Sequence, residues 1–186
     1  ECGAIPAAPF TNSLGAMDMG ILPDYYPGGI SCSDPDKVQQ VWGDGASLET
    51  KGLSAMEMID KAESGELKAL IVYRNNPVID FPDCKRVEAA LKNLSLLVVH
   101  DMMETETSIL ANIVLPSNGP GYDEGTTTNI GGRVQYRKRG LNTNNPPDWK
   151  IISKMINSLR EKPVEYLTSF SVMEELSQTV PGYNEI

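Results

Sequence analysis

The chain has 186 residues, of which 40% are apolar and 22% charged, a balance typical of a globular protein with a buried core. Its formal net charge of −9 argues against binding to nucleic acid or to an anionic membrane surface, because both need basic patches. No apolar run approaches the roughly 20 residues that a membrane-spanning helix needs. We therefore expect no nucleic-acid partner and no direct insertion into a membrane.

The sequence begins with Glu rather than Met, so we expect a piece of a longer protein or a processed chain. Its three cysteines are widely spaced and form no CxxC pair, so the sequence predicts neither a zinc nor an iron–sulfur site. His100 is the single histidine and lies just inside a predicted strand. We expect it to pack half-buried rather than to carry protons, and we assign no catalytic residue.

Residues 1–50 are rich in Gly and Pro and show little periodicity, which predicts an irregular segment draped over a sheet. Within this segment, residues 34–43 predict a short helix. Asp34 can cap that helix, Pro35 suits its first turn and Gly43 stops it.

Residues 53–117 predict an alternation of helix, strand, helix, strand, short helix and strand. Ser54 and Glu57 have the capping-box spacing at the start of the first helix. The strands are apolar throughout rather than alternating, which is typical of a parallel sheet covered by helices. We therefore predict an α/β fold, with an α/β domain at 51–160 and a short helix and tail at 161–186.

Three more elements are predicted beyond the last of these strands. Residues 118–140 predict a hairpin or an edge extension. Residues 148–160 predict a helix with a broad apolar face, capped by Asp148. Residues 171–180 predict a last short helix.

Polar side chains follow the predicted strands, at the edge where parallel α/β sheets bind their ligands. Asn75 and Asn76 precede Pro77, and their amides suit a phosphate or a ribose, although the same residues also suit an ordinary turn. Asp101 ends a strand and Thr105 follows one turn later. A carboxylate there can accept the two N–H groups of a guanine edge, and a solvated helix cap is the alternative.

Four motifs in this order resemble those of the molybdopterin oxidoreductase family. They are "TNSLGAMDMG", "GELKALIVYRNNP", "LLVVHDMMETETSILANIVLPS" and "EGTTTNIGGRVQ", followed by "DWKII". The resemblance implies a Rossmann-like dinucleotide-binding half of the family fold. It implies that Asn76, Pro77, Asp101 and Thr105 contact one pyranopterin guanine dinucleotide, and Asn75 stays a candidate on its own chemistry. The family's iron–sulfur cysteines and its metal-ligating residue lie upstream, so the resemblance implies no metal ligand in this chain.

The sequence departs from the family's motifs mostly around the predicted binding crevice. Arg74 and Asn75 replace Gly-Glu before Asn-Pro, Asn112 replaces an Asp, and Tyr122 and Gly131 each replace a Glu. Arg74 puts a long charged side chain where a glycine lets the backbone approach a phosphate, or else it pairs with that phosphate. These departures favour relaxed cofactor binding.

Two branches of the family fit these observations. We predict a fragment of the large iron–sulfur subunit of NADH-quinone oxidoreductase (complex I), a scaffold domain of an electron-transfer subunit in which the dinucleotide site is vestigial. The alternative is the part of a molybdenum or tungsten formate dehydrogenase-like catalytic subunit that binds molybdopterin guanine dinucleotide.

Both branches carry the same expectations for partners and location. Iron–sulfur clusters lie only upstream, the fragment alone is inactive, and its partners are other subunits of a respiratory or formate-oxidising complex. We expect a cytoplasmic protein, peripheral to the membrane through those subunits. A half-sheet with an exposed apolar edge also predicts either self-association of the fragment or an amino-terminal segment draped over that edge.

Overall fold

A computed structural model describes residues 10–43 and 51–184 of the chain. The helices are α1 (Ser13–Asp18), α2 (Pro35–Trp42), α3 (Ala55–Glu63), α4 (Pro77–Asp80), α5 (Cys84–Lys92), α6 (Glu106–Ile109), α7 (Asp148–Asn157) and α8 (Ser169–Thr179). The strands are β1 (Tyr25–Tyr26), β2 (Ile30–Ser31), β3 (Ala69–Tyr73), β4 (Leu96–Asp101), β5 (Ile113–Pro116), β6 (Gly125–Thr128) and β7 (Val134–Arg137).

Local sequence signals place the ends of several helices where they were predicted. At α2, the Asp34 carboxylate accepts the backbone N–H of Lys37, and Gly43 ends the helix at a φ of 81°. At α3, the side chain of Ser54 accepts the N–H of Glu57, and the Glu57 carboxylate accepts the N–H of Ser54. The start of each helix and the end of α2 therefore follow from residues within a few positions.

Helix α1 and the small pair β1–β2 lie in the segment that the sequence predicts to be irregular. Helix α1 has no side-chain cap, and the residue before it contacts a distant part of the chain instead. The Asn12 side-chain oxygen accepts the N–H of Thr128 in β6 at 2.8 Å, across 116 residues. A Cβ on Gly15 would lie 2.5 Å from that Asn12 oxygen, so a larger residue here would displace the Asn12 side chain from this hydrogen bond.

The predicted α/β fold is confirmed in a three-stranded parallel sheet with the order β3-β4-β5. Helices α3 and α5 pack against one face of this sheet. The buried cluster on that face contains Ile59, Ala62, Val72, Val78, Val87, Ala90, Leu91, Leu94, Leu97 and Val99. Because β4 is central and hydrogen-bonded on both sides, its four middle residues are buried, while most residues of β3 and β5 are more exposed.

The opposite face of the sheet is buried at its centre and open at its flanks. Ile71, Val98 and Ile113 lie side by side across the three strands. Val98 is only 5% exposed, whereas Ile71 is 58% and Ile113 47% exposed. Self-association, which the sequence predicts through an apolar edge of the sheet, stays a prediction.

The chain forms two compact units. The parallel sheet belongs to the unit of Leu53–Asp123 and Gly140–Ile151, and the other unit takes its described residues from Glu1–Gly52, Glu124–Arg139 and Ile152–Ile186. In the latter, β6 and β7 form the predicted hairpin as an antiparallel pair. The division at 51–160 and 161–186 stays a prediction. Within residues 10–43 and 51–184, no helix is long and apolar enough to cross a membrane.

Candidate functional site

The carboxyl ends of the three parallel strands bring together residues from distant parts of one unit. The ladder continues one step past β3, where the N–H of Arg74 donates to the carbonyl of His100 at 2.9 Å. It also continues past β5, where the N–H of Ser117 donates to the carbonyl of Asp101 at 2.9 Å. The residues that follow β3 and β5 are therefore held at one edge of the sheet, on either side of the end of β4.

A mostly buried group of charged and hydroxyl side chains occupies this edge, and we call it the Arg74 cluster: Tyr73, Arg74, Ser117, Asp123 and Asp148. The Arg74 guanidinium donates through Nε to Ser117 Oγ at 2.6 Å. Its Nη2 lies 2.8 Å from Asp123 Oδ2 and 2.5 Å from Asp148 Oδ2. One arginine thus joins the end of β3 to the loop after β5 and to the start of α7.

Asp148 is the acceptor at the centre of the cluster. Besides Arg74, it accepts the Tyr73 hydroxyl at 2.7 Å, Ser117 Oγ at 2.8 Å and the Asn118 N–H at 3.2 Å. Burial alone raises the pKa of Asp148. The hydrogen bonds from Tyr73, Ser117 and Asn118, together with the charge of Arg74, outweigh burial and lower that pKa below its ordinary value.

The sequence predicts Asp148 to be the cap of α7, and this expectation was wrong. The helix begins at Asp148 itself, and the carbonyl of Pro147 accepts the N–H of Ile151 in the first turn. The Asp148 side chain accepts hydrogen bonds from the sheet edge instead. Sequence reasoning missed its role because an Asp at a helix start is an ordinary local signal.

The imidazole ring of His100 packs against Tyr73 of the cluster. His100 is 3% exposed, its ring centroid lies 4.9 Å from that of Tyr73, and its Nε2 lies 3.2 Å from the carbonyl oxygen of Pro116. His100 packs, as expected, although it is more deeply buried than predicted. Burial, followed by the hydrogen bond to Asp148, raises the pKa of the Tyr73 hydroxyl above its ordinary value.

A second group of polar side chains, which we call the Asn76 cluster, joins Asn76 to Glu106 and Thr107 at the start of α6. The Asn76 Oδ1 accepts the N–H of Thr107 at 3.2 Å and its hydroxyl at 2.7 Å. The Asn76 Nδ2 donates to Glu106 Oε2 at 2.7 Å, and this bond lowers the pKa of the Glu106 carboxyl. Both ends of the amide are therefore engaged within the protein.

The other predicted site residues are also hydrogen-bonded locally. Thr105 Oγ1 accepts the N–H of Ser108 at 3.1 Å and caps α6. Asp101 Oδ1 accepts the N–H of Met102 at 2.7 Å, and Asn75 Nδ2 donates to Asp80 at 3.2 Å.

Pro77 is the first residue of α4, immediately after Asn76. The structure brings Asn76 next to α6, whereas no hydrogen bond joins Asn75 or Asp101 to the Asn76 cluster among the described residues. A contact of these residues with a guanine dinucleotide stays a prediction.

The sequence model described as "Molybdopterin oxidoreductase" matches residues 11–158. The chain belongs to the molybdopterin oxidoreductase family. It is 36% identical to the alpha subunit of an F420-dependent formate dehydrogenase of Methanocaldococcus jannaschii, over 99% of this chain and 28% of that protein. It is 34% identical to the G 2 subunit of NADH-quinone oxidoreductase of Rhizobium meliloti, over 92% of this chain and 20% of that protein.

A third relative extends the range of activities in the family. The assimilatory nitrate reductase catalytic subunit of Bacillus subtilis is 32% identical over 92% of this chain and 25% of its own length. The chain therefore spans between about a fifth and just over a quarter of the length of these curated relatives. The names of all three describe subunits of oxidoreductases, and they do not favour one branch over the other.

Family membership implies a molybdopterin-type cofactor in relatives, and the Arg74 cluster can be compared with what such a cofactor needs. A dinucleotide carries phosphates, which require free hydrogen-bond donors or cations. Here Nε of Arg74 already donates to Ser117, and Nη2 already pairs with Asp123 and Asp148. Asp123 Oδ1 is buried without a hydrogen-bond partner among the described residues, and a bare carboxylate oxygen repels a phosphate. The cluster does not fit a phosphate as it stands.

Proposed function

We propose that this chain is a scaffold domain within the large iron–sulfur subunit of an NADH-quinone oxidoreductase, and that it holds no molybdenum cofactor. In this proposal, electrons pass along iron–sulfur clusters carried by upstream parts of the same subunit. The domain supports that subunit and binds other subunits of the complex. It lies in the cytoplasm, peripheral to the membrane through those subunits, and it has no activity alone.

One observation supports this proposal more than the others. Arg74 fills the sheet edge where ligands of parallel α/β folds bind, and two carboxylates neutralise it. The buried charges of Asp123 and Asp148 favour an internal cation and disfavour an anionic cofactor. The family fold is kept, while the crevice is filled by the protein's own side chains.

The experiment is an elemental and pterin analysis of the full-length protein purified from its own host. Molybdenum, tungsten and iron are measured by mass spectrometry, and released pterin is measured by its fluorescence. Iron without molybdenum, tungsten or pterin is the expected result. Stoichiometric molybdenum or tungsten together with pterin would overturn the proposal.

A second candidate is the guanine-dinucleotide-binding part of a molybdenum or tungsten formate dehydrogenase-like subunit. The observation that favours it is Asp101, which is partly exposed at the end of β4 and uses only Oδ1 in the hydrogen bond that we find. Its remaining oxygen faces no assigned donor in the described part of the chain, so it can accept a guanine N–H. Asn75, Asn76, Pro77 and Thr105 are the further contacts in this candidate function.

This candidate predicts cofactor retention that depends on Asp101. In a metal-loaded protein, Asp101→Ala should lower the molybdenum or tungsten content, because it removes the acceptor for guanine. Glu104→Ala is the matched control, since Glu104 is an exposed acid three residues away. Equal metal content in both variants would argue against a guanine contact at Asp101.

A further inference from the structure

The backbone of Arg74 adopts a conformation that suits glycine better than arginine. Its φ is 47°, in the left-handed region that a side chain disfavours. Asp83 is the other described non-glycine residue with positive φ, and its side chain caps α5 through the N–H of Arg86. Arg74 caps no helix in the described part of the chain, and its backbone N–H extends the β3–β4 ladder by bonding the carbonyl of His100.

The guanidinium crosses the carboxyl edge of the sheet from β3 to the far side of β4. Its partners Ser117 and Asp123 follow β5, and Asp148 begins α7. Nη2 also donates to the carbonyl of Asn118. The side chain of Arg74 is 28% exposed and lies across the crevice rather than pointing out of it.

The charges around Arg74 oppose an anion. Asp123 and Asp148 are 8% and 7% exposed, so their charges are poorly screened by water. One guanidinium and two carboxylates leave this group with a net negative charge. A phosphate that entered here would have to break both ion pairs and then lie beside two uncompensated carboxylates.

We infer that Arg74 keeps this crevice closed to the diphosphate of a guanine dinucleotide, so that an internal ion-pair group takes the place of the ligand. The inference rests on the proposed function and deepens it, because it names the residue that excludes the cofactor.

The inference is tested by replacing Arg74 in the full-length protein and measuring binding of guanosine diphosphate by equilibrium dialysis and by the shift in thermal midpoint. Arg74→Gly suits the backbone conformation and opens the crevice. Arg74→Gly leaves the Asp123 carboxylate without its ion-pair partner, which can destabilise the fold. The double variant Arg74→Gly with Asp123→Asn removes that unpaired charge. Arg86→Ala is the matched control, because Arg86 contacts two carboxylates, Asp60 and Glu63, on the exposed surface.

We expect the wild type and Arg86→Ala to show no response to guanosine diphosphate. Arg74→Gly or its double variant should bind the nucleotide at least about tenfold more tightly than the wild type. Binding by the wild type as tight as in the Arg74 variants would overturn the inference, and so would absence of binding in all of them.

Hydrogen–deuterium exchange provides a second readout that needs no variant. Exchange of residues 74–77 in the wild type should not change when guanosine diphosphate is added, and nucleotide-dependent protection there would overturn the inference. Failure of this inference can be told apart from failure of the proposed function. Metal and pterin in the wild type overturn both, whereas metal-free protein with an Arg74→Gly variant that binds no nucleotide overturns the inference alone.

Discussion

The Arg74 cluster and the Asn76 cluster lie at the ends of the same parallel sheet, yet they are built from opposite chemistry. The first joins one guanidinium to two buried carboxylates. The second joins a neutral amide to the buried Thr107 and to the exposed Glu106. A buried charge cannot lose its partner without a large cost, whereas a neutral amide can exchange its partners for water. One side of the crevice is therefore held by buried ion pairs, and the other side by neutral hydrogen bonds that cost less to break.

The largest effect is expected when the central acceptor of the Arg74 cluster is removed. Asp148→Ala leaves Arg74 with one carboxylate partner. It also removes the acceptor of the hydrogen bonds that the hydroxyl groups of Tyr73 and Ser117 donate. Arg74 keeps its other ion pair, but the buried Ser117 hydroxyl and Asn118 N–H lose their acceptor. Each unsatisfied buried donor costs about 1–3 kcal/mol, so the free energy of unfolding in urea should fall by about 2–6 kcal/mol.

Asp60→Ala is the matched control for this prediction. Asp60 accepts an arginine Nη2 at 2.6 Å, close to the 2.5 Å at Asp148, but its side chain is 57% exposed. Water replaces an exposed partner easily, so this variant should be far less destabilised. Equal losses in Asp60→Ala and Asp148→Ala would mean that burial does not set the strength of the Arg74 cluster.

A smaller effect is expected in the Asn76 cluster. Asn76→Ala removes the acceptor of two bonds from Thr107 and leaves the N–H and hydroxyl of that fully buried residue without it. An unsatisfied buried group costs about 1–3 kcal/mol, and urea unfolding should show a loss of that size. Asn75→Ala is the control, because Asn75 is exposed and bonds only to Asp80 in the contacts found. It should change stability by less than about 0.5 kcal/mol.

The difference between the clusters also explains how much the sequence could predict. The parallel sheet and helices α3 and α5 follow from apolar runs and caps within a few residues, and they were predicted correctly. The polar strand ends were predicted too, because each follows its strand directly. The partners of Arg74 were not predictable, since Asp123 lies 49 residues later and the link from Tyr73 to Asp148 spans 75 residues. Local rules assigned Asp148 to a cap, and only the folded chain shows what its carboxylate contacts.

The cap of α6 should give the next smaller effect. Thr105→Ala removes the hydroxyl that accepts the N–H of Ser108, and the loss of such a cap costs about 1 kcal/mol. Thr105→Ser keeps a hydroxyl at the same place and should retain most of the stability. If Thr105→Ser is as unstable as Thr105→Ala in urea, packing of the threonine methyl rather than capping is the contribution of this residue.

The smallest effect, and the one that separates the clusters most cleanly, is the pH dependence that Asp148 adds to unfolding. Its pKa is lower in the folded protein than the ordinary value of 3.8, so the folded state favours the ionised form. The stability that Asp148 contributes is complete above that ordinary value and is lost as the pH falls through the lower folded pKa.

In thermal unfolding between pH 2 and pH 7, the wild type should therefore lose more stability below about pH 4 than Asp148→Asn does, and the two curves should run parallel above about pH 5. Thr105→Ala is the control, because the hydrogen bonds of Thr105 join it to Ser108 and, among the described residues, to no carboxylate, and its curve should stay parallel to the wild type over the whole range. If the curves of the wild type and Asp148→Asn remain parallel throughout, then Arg74, Tyr73 and Ser117 do not hold Asp148 ionised. In that case the contrast between the buried charges of the Arg74 cluster and the neutral amide of Asn76 would be wrong.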